Sequence, residues 1–189
     1  AIFASGSGSN AEAIIKYFRN KGQDPVKIIL TNNQNAYVIE RAKKLSVPFY
    51  IFSKKEFYDS DAILKLLKDY KIDFIVLAGF LWLVPKNLLA EYKNRIVNIH
   101  PALLPSYGGK GMYGMRVHEA VVRNKESFSG ITIHYVDEEY DHGSIIFQAK
   151  CIIDPDDTPE IVASKVHNLE YEYYPQIIEK LINLFSHGT

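Results

Sequence analysis

Cysteine is nearly missing: Cys151 stands alone in 189 residues. One thiol excludes an internal disulfide and a cysteine-rich zinc site, and it suits a reducing compartment, so a cytoplasmic location is expected. An excess of either charge is also lacking, with 22 Lys and Arg against 22 Asp and Glu. That balance argues against a chain whose main task is to coat nucleic acid or an anionic membrane. The longest apolar run, Phe74 to Val84, is about 11 residues, against the roughly 20 that a membrane-spanning helix needs. No secretory stretch precedes the first strand, and the chain opens at Ala1 without a methionine, which predicts a few further residues upstream. Repeats, low-complexity tracts and Pro/Gly/Ser-rich linkers are lacking as well, so residues 1–189 are expected to form a single domain. What is present suffices for a core: 47% hydrophobic and 23% charged residues rule out disorder and collagen-like repetition.

Short β-branched or aromatic runs alternate with amphipathic stretches through the first half. Residues 1–4, 26–31, 48–52, 74–78 and 95–99 read as strands; 10–20, 37–45, 61–70 and 85–92 read as helices. Phe74-Ile75-Val76-Leu77-Ala78 is apolar throughout, which suits a sheet covered on both faces. Strict alternation implies parallel strands with right-handed crossovers. A further strand pair follows at 131–136 and 144–153, then a long closing helix from Pro159 to about Phe185, expected to break near Pro175. The fold class is therefore α/β, an open, mostly parallel twisted sheet with helices on both faces, whose ligands bind at the carboxyl ends of the strands.

Gly6-Ser7-Gly8-Ser9-Asn10-Ala11 follows the first strand and opens the first helix. It fits G-x-G-x-x-G/A, yet the second strand ends Leu30-Thr31-Asn32-Asn33-Gln34-Asn35. It offers neither a carboxylate for ribose hydroxyls nor an arginine for a 2′-phosphate, so a nicotinamide cofactor is rejected. A helix start with closely approachable backbone still suits a phosphate. Ser9 and Glu12 also fit a capping box.

Asn98 and His100 lie two apart at the end of the fifth strand, so they share a face where the ligand is expected. An amide and an imidazole aimed at one point can stabilise a developing oxyanion. Asp141 occupies a turn in Asp141-His142-Gly143. Placed beside His100 it would favour the imidazolium; as an ordinary turn aspartate it would do nothing of the kind.

These segments together resemble the phosphoribosylglycinamide formyltransferase family, among the folate-dependent formyltransferases. The resemblance runs nearly end to end. It rests on Ser5-Gly6-Ser7-Gly8-Ser9-Asn10, Leu77-Ala78-Gly79-Phe80, Asn98 through Pro105, Gly130 through Gly143, and Glu170 ahead of Tyr174-Pro175. It implies a Rossmann-like formyltransferase fold, with the substrate's ribose phosphate on Gly8, Ser9 and Asn10 and its glycinamide amine near Glu170. It implies a pocket for the pteridine of the cosubstrate 10-formyltetrahydrofolate lined by Leu81, Trp82, Leu83, Val84, Asn98 and Tyr140. Asn98, His100 and Asp141 become the catalytic group, with no metal, no nucleic acid and no membrane partner, and with the oligomeric state left open.

The resemblance is imperfect in places. Many relatives carry arginine where this chain has Trp82, which serves either the pocket wall or the core. Lys55, beside Glu56, is the best counterpart of an arginine that touches the outer folate. The loop 107–116 is longer and richer in glycine than usual. His118 and His142 are expected in solvent, and His134 in a structural strand role. Formyltetrahydrofolate hydrolases and methionyl-tRNA formyltransferases share the catalytic block but add a regulatory or a tRNA-binding domain that these residues do not include. A phosphate-binding module without chemistry is the non-enzymatic alternative.

Overall fold

The computed structural model describes residues 1–186 and divides the chain into two compact units, meeting in sequence between Val97 and Asn98. One seven-stranded sheet, in the order β3-β2-β1-β4-β5-β6-β7, gives the α/β class.

The first unit holds β1 (Ile2–Phe3), α1 (Ser9–Asn20), β2 (Ile29–Thr31), α2 (Val38–Lys44), β3 (Phe49–Ile51), α3 (Lys54–Tyr58), α4 (Ala62–Asp69), β4 (Ile75–Leu77) and α5 (Lys86–Glu91). Its strands are parallel, with Ile2 beside both Ile29 and Val76, and Ile29 beside Phe49. The apolar run at 74–78 is buried throughout, as a strand covered on both faces requires. Helix α1 buries Ala11, Ile14, Ile15 and Phe18, the three-and-four spacing that makes one apolar stripe. Phe3, Phe52, Phe57 and Phe80 form an aromatic core with ring centroids 5.0 to 6.3 Å apart. Each such ring contributes about 1.5–3 kcal/mol through burial.

Strand β5 (Ile96–His100) leads into the second unit, which adds α6 (Met115–Arg123), β6 (Phe128–Tyr135), β7 (Ile145–Ile152) and α7 (Pro159–Ser186). Strands β6 and β7 pair antiparallel, with a register shift between Ile133 and His134. Ile133 faces Phe147 and His134 faces Ile145, so Ile146 is the extra residue of a β-bulge. Helix α7 packs against α6, β6 and β7. Its buried stripe runs Val162, Val166, Glu170, Tyr174, Ile177, Ile178 and Leu181.

Two expectations are corrected. Helix α7 is not interrupted at Pro175, which lies inside a single 28-residue helix. The apolar stripe continues on both sides of the proline, and that packing outweighs the backbone hydrogen bond it cannot make. The glycine-rich loop ends at Gly114, because Met115–Arg123 is helical and buries Val117, His118, Ala120 and Val121. Among the described residues no helix is long and apolar enough to cross a membrane.

Candidate active site

The end of β5 presents Asn98 and His100 to one carboxylate in the second unit. His100 Nδ1 lies 3.3 Å from Asp141 Oδ2, and Asn98 Nδ2 lies 3.4 Å from Asp141 Oδ1. The backbone N–H of Gly109 donates to Asp141 Oδ2 at 3.0 Å. The side chains of His100 and Asp141 are only 4% and 11% exposed, so these charges act with little solvent screening. Burial alone pushes the Asp141 carboxyl up. The hydrogen bond from His100, the charge of His100 and the Gly109 amide outweigh it and hold the group well below the usual carboxylate range. Asp141 is therefore an anion at neutral pH.

Asp141 reaches this position from a left-handed backbone, φ 56°, which aspartate adopts more readily than most residues. The turn closes two residues later on Gly143, where a Cβ would lie 1.9 Å from the Tyr135 carbonyl oxygen. The Asp-x-Gly spacing thus has a steric cause.

His134 belongs to the same cluster, which the sequence reading did not foresee. Its Nε2 is 3.1 Å from Asn98 Nδ2 and 3.7 Å from Asp141 Oδ1, and its Nδ1 is 2.7 Å from the Tyr135 carbonyl. The carbonyl can only accept, so the proton sits on Nδ1 and Nε2 accepts from the Asn98 amide. Asn98 then spends one N–H on His134 and the other on Asp141. To donate to a substrate oxygen it gives up the longer bond, at 3.4 Å the weaker of the two. His100 stands differently, with a carboxylate on one ring nitrogen and the Tyr107 carbonyl 2.7 Å from the other. Both partners are acceptors, an arrangement that an imidazolium satisfies with both N–H groups.

The strand end is pinned from below. Thr132 Oγ1 donates to the Ala102 carbonyl at 2.7 Å and accepts from the Leu104 N–H at 2.9 Å. The Gln148 amide bridges Thr132 and the Leu104 carbonyl. Thr132 and Gln148 face each other across β6 and β7, so the hairpin grips the segment that follows His100. Neither residue drew attention in the sequence, where each is an unremarked polar position in a strand.

Glu170 lies on α7, 5% exposed, with its carboxylate 2.9 Å from His167 Nδ1 one helical turn away. That contact raises the His167 imidazole above its ordinary range. His118, on α6, corrects the expectation of a solvated ring: it is 1% exposed and its Nδ1 makes no hydrogen bond. Burial, with the like charge of His167, pushes its imidazole down to about 4, although the charge of Glu170 works in the other direction. His142 is exposed as expected and pairs with Asp137 at 2.8 Å.

In the first unit the glycine loop has its own geometry. Gly8 takes φ 72°, and a Cβ there would lie 2.4 Å from Val38 Cγ2. Gly6 has no such constraint. The expected Ser9–Glu12 capping box is not formed, because the N-cap is Gly8, one residue earlier, and no side chain caps the helix. Glu12 instead pairs with Arg41 and Lys16, while Arg41 Nε donates to the Ser7 carbonyl at 2.8 Å. Ser9 and Asn10 fall in the first turn of α1, and the Ser9 N–H donates to Ser7 Oγ at 3.5 Å.

The capping box of this unit is at α3. Ser53 and Glu56 form it, and Glu56 also accepts from the Tyr50 hydroxyl at 2.7 Å. The hydrogen bonds from Ser53 hold the Glu56 carboxyl down at about 2. Glu56 is thus a capping residue, and Lys55 beside it is an exposed side chain. Trp82 packs as a core residue would: half-buried, it lies on Phe52 and Phe57 and stacks on Tyr58 at 5.8 Å. Leu81 is exposed, Leu83 half-buried and Val84 buried, and the Leu83 carbonyl accepts from the Tyr58 hydroxyl at 2.9 Å. Tyr140 is partly exposed in the turn before Asp141.

The formyl transferase family pattern matches residues 1–178. The phosphoribosylglycinamide formyltransferase of Bacillus subtilis (strain 168) is 36% identical over 193 residues, covering 100% of this chain and 96% of that protein. The chloroplastic phosphoribosylglycinamide formyltransferase of Arabidopsis thaliana is 38% identical over 184 residues, covering 94% of this chain. The chain spans 63% of the length of that plant relative. Among solved structures, the phosphoribosylglycinamide formyltransferase of Bacillus halodurans matches at a TM-score of 0.83 with 39% identity, covering 100% of this chain and 95% of that one. A match of this extent, in sequence and in fold, makes the chain a member of the formyl transferase family.

Proposed function

We propose that the protein transfers the formyl group of 10-formyltetrahydrofolate to the amine of glycinamide ribonucleotide, a step of de novo purine synthesis. The observation that carries this reading is the buried cluster of Asn98, His100 and Asp141 in a chain whose relatives bear that activity's name along nearly its full length. The substrate amine attacks the formyl carbon, forming a C–N bond, and the bond from that carbon to folate N10 breaks. The proton lost by the amine passes to the departing nitrogen. Asn98 donates to the tetrahedral oxyanion once its bond to Asp141 is released, the imidazolium of His100 stabilises it through its charge, and Asp141 balances that charge.

On this reading Gly8, Ser9 and Asn10 bind the ribose phosphate and Glu170 receives the glycinamide end. Leu81, Trp82, Leu83, Val84, Asn98 and Tyr140 hold the pteridine, and Lys55 reaches the outer, anionic part of the folate. Residues 1–189 act as one formyltransferase domain, its first part serving the ribonucleotide and its second the folate and the chemistry. A reducing cytoplasm suits its one cysteine.

The test is tetrahydrofolate release from 10-formyltetrahydrofolate with glycinamide ribonucleotide, with methionyl-tRNA, or with water alone. Release that depends on the ribonucleotide is the expected result. Equal release in water would make the protein a hydrolase, and no release with any acceptor would leave a binding module.

A further inference from the structure

Tyr107 stands where a glycine would be easiest. Its φ is 58°, left-handed, a region that bulky side chains rarely occupy. Glycines follow directly at 108 and 109, so the chain could have placed one at this position without difficulty. The side chain indicates what is gained. Its hydroxyl donates to Glu126 Oε1 at 2.6 Å and accepts from Asn124 Nδ2 at 2.9 Å, tying the loop to the segment just after α6. The backbone of the same residue offers the carbonyl that His100 Nε2 meets at 2.7 Å. Two residues on, Gly109 gives its N–H to Asp141. Between them Gly108 is packed so closely that a Cβ would lie 2.5 Å from Leu104 Cδ2 and 3.3 Å from Asp141 Cβ. One tripeptide thus touches both members of the ion pair, and its outer end is held by the phenol.

We propose that Tyr107 is a positioning residue: its hydroxyl, clipped by Glu126 and Asn124, holds the left-handed backbone whose carbonyl orients the His100 ring. The phenol acts through the loop. Asp141 fixes the ring at Nδ1 and the Tyr107 carbonyl fixes it at Nε2, so loss of the clip leaves the Asp141 contact and loosens the Nε2 side of the ring. Small errors in the placement of a reacting group cost turnover more than they cost binding.

The proposal rests on the formyl transfer reading, and its test has one arm that needs that reading and one that does not. Tyr107→Phe and Glu126→Ala are each expected to lower kcat about tenfold, with KM for both substrates changed by less than about twofold. The double variant is expected to be no worse than either single one, because both break the same clip. Glu126→Gln, which keeps an acceptor for the phenol, is expected to restore turnover. In the free protein, without substrate, the ring nitrogen resonances of His100 are expected to shift in Tyr107→Phe relative to the unaltered chain. Unchanged His100 resonances, or kcat within about twofold of the parent in both single variants, would overturn the proposal. If the parent protein transfers no formyl group, the functional reading fails, and the resonance measurement still decides the clip.

Discussion

Asp141 is held as a buried anion by donors from three directions: the His100 ring, the Asn98 amide and the Gly109 backbone. Its replacement by asparagine keeps the shape and removes the charge that the imidazolium faces. Asp141→Asn is expected to lower turnover by about 10²–10³-fold. Ribonucleotide affinity, measured by calorimetry, should stay within about twofold. Unchanged turnover would remove Asp141 from the mechanism. The meeting of His100 with Asp141 was left open by the residues themselves, because strand alternation and the Asp-x-Gly turn are local signals; the family resemblance alone implied it. His134 was not legible either, since its approach to Asn98 depends on β6 lying beside β5, a long-range placement that no local pattern reports. Ser9 and Glu12 matched a pattern that the backbone declined, because Gly8 begins the helix one residue sooner and Arg41 takes the carboxylate.

At the scale of an element, the loop between β1 and α1 separates two glycines that look equivalent in the sequence. Gly8→Ala combines a left-handed φ with an overlap against Val38, and is expected to cost about 2–3 kcal/mol. Gly6→Ala meets open space and should change the denaturation midpoint little. Anion affinity, measured with glycinamide ribonucleotide, should weaken in the first variant alone; equal effects would count against the loop assignment. The strands and most helices of the first unit were readable because double-sided burial and a three-and-four stripe leave plain marks. Helix α6 was not, because the buried His118 interrupts the apolar marks of its core-facing stripe.

On the scale of the whole molecule, that same histidine ties stability to pH. Its folded imidazole titrates near 4 and its unfolded one near 6.5, so between these values the unfolded chain binds the extra proton. Stability from this group is complete above pH 6.5 and is lost as the pH falls toward 4. The loss is on the order of 2–3 kcal/mol. His118→Gln should flatten the dependence of unfolding free energy on pH across that window, read from urea denaturation at a series of pH values. An unaltered slope would mean that the ring is not the group responsible. Asp141 acts lower still: its folded carboxyl is depressed, so its contribution is present above the ordinary carboxylate pKa of 3.8 and lost beneath it.

The bulge at Ile146 resets the phase of β7 itself. Along β7, exposure alternates from Phe147 to Ile152, then slips, so that Ile146 and Phe147 are both partly covered and Ile145 turns outward. Tolerance of polar replacements should obey an odd-even parity on one side of Phe147 and the opposite parity on the other. A saturation scan of β7 scored by soluble yield would display that reversal, and deleting Ile146 would erase it by sliding the hairpin into a single phase.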